Sequence, residues 1–244
     1  MNTKTHFGIG LTVLAALGFG ARASAAAVSH SFSFSTPMDI PDADGSGATG
    51  IANSQTLGFF ASGSKITSVQ VSLDVQGGFN GDYYASLRHV TSDGTTTGYS
   101  VLLNRVGVGL TGDSYGYSDA GLNVFFDDSA SHDIHQYGLT ASPNGGVLTG
   151  NWQPDGRADD PSVVTDASQR LDILKLSSFQ GLDPNGLWTL FIEDESSGGS
   201  GTLKSWGLTI NAQVAAVPEP STALAGAFML FVTLMRFHWR SGKQ

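Results

Sequence analysis

The chain has no cysteine anywhere in its 244 residues. Disulfide staples, thiolate nucleophiles and cysteine-ligated zinc are therefore excluded; stability has to come from packing, with an oxygen-ligated ion as the remaining inorganic option. Charge is sparse as well: Asp, Glu, Lys and Arg together make up 14% of the chain. Positive charge is the scarcer sign. Between Ala26 and Val217 stand 7 basic residues (Lys65, Arg88, Arg105, Arg157, Arg170, Lys175 and Lys204) against 20 acidic ones, a net charge of −13. A body of that sign is repelled by nucleic acid and by anionic lipid, so neither is expected as a partner. From residue 28 to 212 no stretch repeats its apolar residues at the helical period, which argues against a helical domain. Hydrophobic residues still make up 40% of the chain, enough for a buried core.

What the sequence has instead is alternation. In KITSVQVSLDV, Val69, Val71, Leu73 and Val75 fall on one face while Gln70, Ser72 and Asp74 fall on the other, the pattern of a half-buried strand. Trp188, Leu190 and Ile192 share a face in GLWTLFIED, as do Trp206, Leu208 and Ile210 in TLKSWGLTI. Further strands are expected at 31–35, 83–90, 99–103, 121–126 and 171–176. Turn clusters separate them: DADGSG, QGGFNGD, SDGTTTG, SPNGG, DPNG and ESSGGSG. Many short strands divided by Gly, Asn and Asp predict an all-β sandwich over 28–212, with a long irregular insertion from about 127 to 169.

The two ends read differently. The first 25 residues carry Lys4, an apolar run from Phe7 to Phe19 and the small-residue site Ala23-Ser24-Ala25, the three parts of a secretory signal helix that signal peptidase removes. Near the other end, Pro218, Glu219 and Pro220 precede an apolar run of fifteen residues, Ser221 to Met235, and then the basic tip Arg236, Arg240 and Lys243. As a helix that run spans about 22 Å against the ~30 Å of a bilayer core, so a short transmembrane helix is expected. The basic tip would stay cytoplasmic and the sandwich would sit outside. The two prolines hold Glu219 in extended backbone that joins neither helix nor strand.

Few residues between the ends suggest catalysis. DADGSG places Asp42, Asp44 and Ser46 at alternate positions like the first half of an EF-hand loop, but Asn53 stands where the bidentate Glu belongs, so a polar turn is expected. His132 and His135 lack the further ligands that a zinc centre needs and are read as exposed loop histidines. No G-x-S-x-G elbow is present. Adjacent carboxylates at Asp127-Asp128, Asp159-Asp160 and Glu193-Asp194-Glu195 point to opposite faces if they lie on strands, so none is a hydrolytic dyad by itself. A non-enzymatic protein is expected. Asp82, Asp128 and Asp194 each lie at the edge of an expected strand, where loops at one end of a sandwich could bring them onto a calcium ion. Tyr83, Tyr84, Tyr115, Tyr117 and Trp152 are candidate exposed aromatics for stacking on sugars.

Two resemblances follow from these residues. FQGLDPNGLWTLFIEDESSGGSGTLKSWGLTI (179–210) resembles the closing motif of the P domain, which follows the catalytic domain in subtilisin-like proprotein convertases. Phe179, Gly181, Asn185, Gly186, Trp188, Leu190, Asp194, Gly201, Leu203, Trp206, Leu208 and Ile210 fit that pattern. Upstream, IPDADGSG is similar to the family's early I-P-D turn, the stretch from Ile66 to Leu87 to its strand pair with Asp82 at the acidic position, and FFDDSA to its F-x-D-x-A segment. Gly78-Phe79 departs from the pattern's histidine, and the residues before the module read as a signal peptide rather than a protease. The resemblance implies a jelly-roll form of the sandwich with Trp188 and Trp206 in its core.

Residues 217–244 resemble the PEP-CTERM sorting signal: Pro-Glu-Pro, a hydrophobic helix and a terminal basic cluster, in that order. This implies recognition and cleavage by an exosortase near Pro218–Pro220, and delivery to the surface or extracellular (biofilm) matrix of an exopolysaccharide-producing bacterium. The function expected from the whole is an exported surface or matrix protein whose sandwich serves adhesion or matrix structure, possible partners including exopolysaccharide. The alternatives are a carbohydrate-binding module, or an accessory P domain acting in trans with a separate protease.

Overall fold

The alternation of the sequence becomes paired strands. A computed structural model of the protein describes residues 25–35, 37–44, 49–143 and 145–214. The expected signal peptide, residues 45–48 of the DADGSG turn, and the expected sorting tail lie outside the described residues. Among the latter are ten strands: β1 (Ala26–Phe34), β2 (Met38–Ile40), β3 (Thr49–Leu57), β4 (Lys65–Gly77), β5 (Tyr83–Thr91), β6 (Thr97–Asn104), β7 (Leu122–Phe126), β8 (Leu148–Trp152), β9 (Gly186–Asp194) and β10 (Gly201–Val214). One sheet runs β1-β10-β4-β7-β8, with β2 also pairing β10, and the other runs β3-β9-β5-β6. All pairings are antiparallel except the parallel β7–β8.

Both sheets turn their apolar rows into one core. Val69, Val71, Leu73 and Val75 of β4 and Leu203, Trp206, Leu208 and Ile210 of β10 are buried with Ala85 and Leu87 of β5 and Trp188, Leu190 and Ile192 of β9. Each large side chain so buried contributes about 1.5–3 kcal/mol through removal of apolar surface from water. Leu203 and Trp206 are three residues apart, an odd spacing that would put them on opposite faces of a regular strand. A bulge against β4 between Leu203 and Ser205 resets the parity and keeps both inside. The indole N–H of Trp206 donates to Asn53 Oδ1 (2.9 Å) and that of Trp188 to the Pro184 carbonyl (3.1 Å). Opposite Trp188 on β5 sits His89, fully buried and stacked on the indole with ring centroids 4.0 Å apart.

Two expectations need correction. Residues 171–176 form no strand; two 3-10 turns, Asp172–Leu174 and Leu176–Phe179, occupy the stretch, with Leu171 and Lys175 extended before each. The Asp128 carboxylate accepts the N–H groups of Leu176 (3.1 Å) and Ser177 (2.7 Å), capping the second turn from a distant part of the chain. The stretch expected as an irregular insertion carries β8 and a 3-10 turn, Ile134–Leu139, and its Ile134, Tyr137, Leu148 and Trp152 belong to the core.

Candidate functional site

Strand parity creates the site. The core-facing row of β9 reads Trp188, Leu190, Ile192 and then Asp194, so alternation carries a carboxylate into the interior at the strand's last residue. Asp194 is fully buried. Its Oδ1 accepts the Ser196 N–H (3.1 Å), while Oδ2 has no hydrogen-bond partner among the described residues. Across the ladder Asp194 faces Tyr83, and the pairing runs one residue further as the Glu195 N–H donates to the Asp82 carbonyl (2.8 Å). Asp82, also buried, closes the short 3-10 turn Asn80–Asp82 between β4 and β5.

The surroundings are acidic. Burial pushes the Asp194 carboxyl from its ordinary 3.8 up to about 6; the Ser196 N–H opposes this, and the charges of Asp82, Asp42 and Glu195 add to it. Burial likewise raises Asp82 to about 6, with Arg105 and a hydrogen bond from Ser196 pulling it down and Asp42 pushing it up. Asp42 reaches the same end from the loop after β2, its carboxylate accepting the Gly198 N–H (3.0 Å). The nearby cation is Arg105, whose Nη2 lies 3.9 Å from Asp82 Oδ1, too far for a hydrogen bond. That same nitrogen donates instead to Ser196 Oγ at 3.1 Å. Arg105 holds φ 48°, a left-handed conformation in which side chains other than Gly, Asn and Asp are uncommon and which marks places where the surroundings fix the backbone.

Beside this acidic floor lies a cleft of about 210 Å³ lined by Phe79, Asp82, Tyr115, Gly116, Tyr117, Ser118, Ser196 and Ser197. Tyr115 is 75% and Phe79 38% exposed. The walls are therefore aromatic and the floor offers hydroxyls and one carboxylate. Such a mixture suits a ligand with apolar faces and many hydroxyls.

The expected calcium trio is split by the fold. Asp82 and Asp194 come together near the Gly77 end of β4, where the Tyr83 hydroxyl donates to the Gly77 carbonyl (2.9 Å). Asp128 follows β7 beyond Phe126, which pairs with Val71 toward the far end of β4, and spends both oxygens on capping. Among the described residues no three Asp, Glu or His side chains are drawn into a ready-made metal cluster. The aromatic expectations also divide. Tyr83 is fully buried and Trp152 nearly so, its N–H donating to the Thr149 carbonyl (3.1 Å), whereas Tyr115 and Tyr117 line the cleft. Tyr84 sits half-buried, with its hydroxyl 2.6 Å from that of Tyr99.

His135 resembles half of a hydrolytic triad without its function. Nδ1 lies 2.9 Å from Asp155 Oδ2, but Nε2 meets the Val108 carbonyl at 3.0 Å, so no ring nitrogen remains for a serine hydroxyl. The ring and Asp155 are fully buried. Asp155 also binds Arg157 (3.1 Å), which reaches Asp133 (3.0 Å). This constellation knots the 127–169 segment to β6, where Asp155 Oδ2 accepts the Asn104 N–H (3.2 Å). His135 is thus a core histidine rather than the exposed loop residue expected, while His132 is exposed beside Trp152. The remaining acidic pairs mainly tie down turns: Asp127 holds Ser129, Asp160 holds Ser162 and Asp159 holds Ser168.

No family model and no curated protein matches the chain. Among solved structures it is similar to the complex of the Aeromonas sobria serine protease with its chaperone, at 16% identity and a TM-score of 0.39, over 78% of this chain and 28% of that one. The Aeromonas sobria serine protease alone gives 16% identity and a TM-score of 0.39, over 76% of this chain and 27% of that one. The chain spans little more than a quarter of the length of either protease chain.

Proposed function

We propose that this is an exported, exosortase-sorted protein of the bacterial surface or extracellular matrix, whose sandwich, jelly-roll-like in form, is a non-catalytic recognition module for hydroxyl-rich polymers. The observation that carries the reading is the cleft that sets Phe79, Tyr115 and Tyr117 around Asp82, Ser118, Ser196 and Ser197. Its aromatic edges can lie against the apolar face of a sugar ring, while the hydroxyls and the carboxylate exchange hydrogen bonds with the ring's rim. The acidic surround favours a neutral or weakly charged polysaccharide over a strongly anionic one. The sequence at both ends supports delivery outside the cell: a signal peptide in front, and behind it the Pro218-Glu219-Pro220 motif, apolar run and basic tip.

The test is binding of the secreted protein to polysaccharide extracted from the surface of the producing cells, followed by retardation in an affinity gel. The wild type should be retarded. Tyr115→Ala, at a position 75% exposed, should keep its fold and lose the retardation. Equal retardation of both proteins, or of neither, would refute the assignment of the cleft.

A further inference from the structure

We infer that the recognition site continues past Tyr115 into a second cleft, so that the ligand is an extended sugar chain lying across the tyrosine. The inference rests on the reading of the first cleft as a polysaccharide site. The second cleft has a volume of about 280 Å³, and its lining includes Arg105, Ser114, Pro161, Ser162, Val163 and Thr165. Two observations make it a neighbour of the first. Ser114 lines the second cleft and Tyr115 the first, so consecutive residues face the two. Arg105 lines the second, while its Nη2 donates to Ser196 Oγ of the first (3.1 Å) and stands 3.9 Å from Asp82 Oδ1. Tyr115, 75% exposed, is the ridge between them. The ridge is held from below. The Gly81 N–H donates to the Tyr117 carbonyl (2.8 Å), the Tyr117 N–H to the Val106 carbonyl (3.1 Å) and the Tyr115 N–H to Asp113 Oδ1 (2.8 Å). Only glycine permits this seat at position 81, because a Cβ there would collide with the Tyr115 carbonyl oxygen. An aromatic ring on backbone fixed in advance loses little freedom on binding.

The second cleft repeats the chemistry of the first. Val163, 65% exposed, and Pro161 give it an apolar ledge. The turn that carries them is pinned, since the Val163 and Val164 N–H groups donate to the Asp160 carbonyl (2.9 and 3.0 Å) and Val164 is buried. Ser114, Ser162 and Thr165 set exposed hydroxyls around the ledge. Asp113 and Arg105, which also line the cleft, are already engaged, the one by the Tyr115 N–H and the other by Ser196. A surface of apolar ledge and hydroxyls suits uncharged sugar units. Neither cleft reaches the ~300 Å³ at which pockets for small ligands begin, whereas the two on either side of one exposed ring make a site for several linked sugars.

The test is competition against retardation of the secreted protein in gels that hold polysaccharide from the producing cells. The competitors are size-fractionated fragments of that polysaccharide, from dimers to octamers. Octamers should compete about a hundredfold better than dimers, the low end of the gain from linking two sites and beyond the severalfold gain of a longer chain that merely offers more places to bind. Val163→Asp, at an exposed position, should lose that advantage. Phe59→Asp adds the same charge at an exposed position after β3, whose last residue, Leu57, pairs with Gly186 at the opposite end of β9 from Asp194; it should keep the advantage. If octamers do not outdo dimers, or if Val163→Asp keeps the full advantage, while Tyr115→Ala still abolishes retardation, the first cleft stands and its extension is overturned. If the wild type is not retarded at all, the polysaccharide reading fails and takes the extension with it.

Discussion

Replacing Asp194 by Asn should stabilise the protein at neutral pH in the absence of divalent cations, and the gain should vanish on mild acidification. The carboxyl has a folded pKa of about 6 against an ordinary value of 3.8. Because the folded value is the higher one, the folded state holds the proton more tightly. The group's favourable contribution is therefore complete below about pH 4 and lost as pH rises through 6. Integrating that difference from pH 7 to pH 5 gives on the order of 1 kcal/mol for one such carboxyl. The amide cannot ionise, so the stability gap between Asp194→Asn and wild type should change by about that amount across the interval. Its Oδ1 can still accept from Ser196. His89, whose pKa burial lowers, loses stability as pH falls below the ordinary histidine value, but it does so in both proteins and cancels in the difference. The assay is urea unfolding of both proteins in EDTA at pH 5, 6 and 7. A variant less stable than wild type by the same amount at all three values would refute the claim that this carboxylate is buried at a cost.

Other substitutions test the packing. Trp188→Ala removes the buried ring between His89 and Phe179 and should cost about 3–5 kcal/mol in urea unfolding; a loss under 1 kcal/mol would contradict its place in the core. Asp155→Asn strips the buried partner shared by His135 and Arg157 and should cost about 3–5 kcal/mol, with a shift in unfolding midpoint as the readout. A methyl group at Gly201 would collide with the Tyr83 hydroxyl, so Gly201→Ala should cost about 1–3 kcal/mol. Adding Tyr83→Phe, which deletes that hydroxyl, should recover part of the loss, and strictly additive losses would be the contrary result.

Strands whose inward row is apolar over most of its length are legible from the residues. β4, β9 and the second half of β10 announce themselves because burial and alternation coincide. β3 hides, since its inward row reads Ile51, Asn53, Gln55 and Leu57; the polar members are satisfied by contacts such as the Trp206 indole on Asn53, which only the folded chain supplies. β8 has apolar residues only at its two ends, Leu148 and Trp152, and its parallel pairing with β7 is non-local. In LDILKL both parity rows carry leucine or isoleucine, so alternation alone does not decide between strand and turn; the Asp128 carboxylate on the Leu176 and Ser177 N–H groups is a non-local contact that only the folded chain supplies. The acidic end was half legible. Asp82 and Asp194 stand out as strand-edge acids, but which other acid shares their end of the sandwich depends on loop paths, and these bring Asp42 rather than Asp128.

The proposed function requires that a recognition module be exported and trimmed at both ends. Intact-mass spectrometry of the protein recovered from the cell surface and the medium tests it most directly. The expected mature chain begins near Ala26 and ends between Val217 and Pro220. A recovered chain that still carries Arg236, Arg240 and Lys243, or one found only inside the cell, would contradict it.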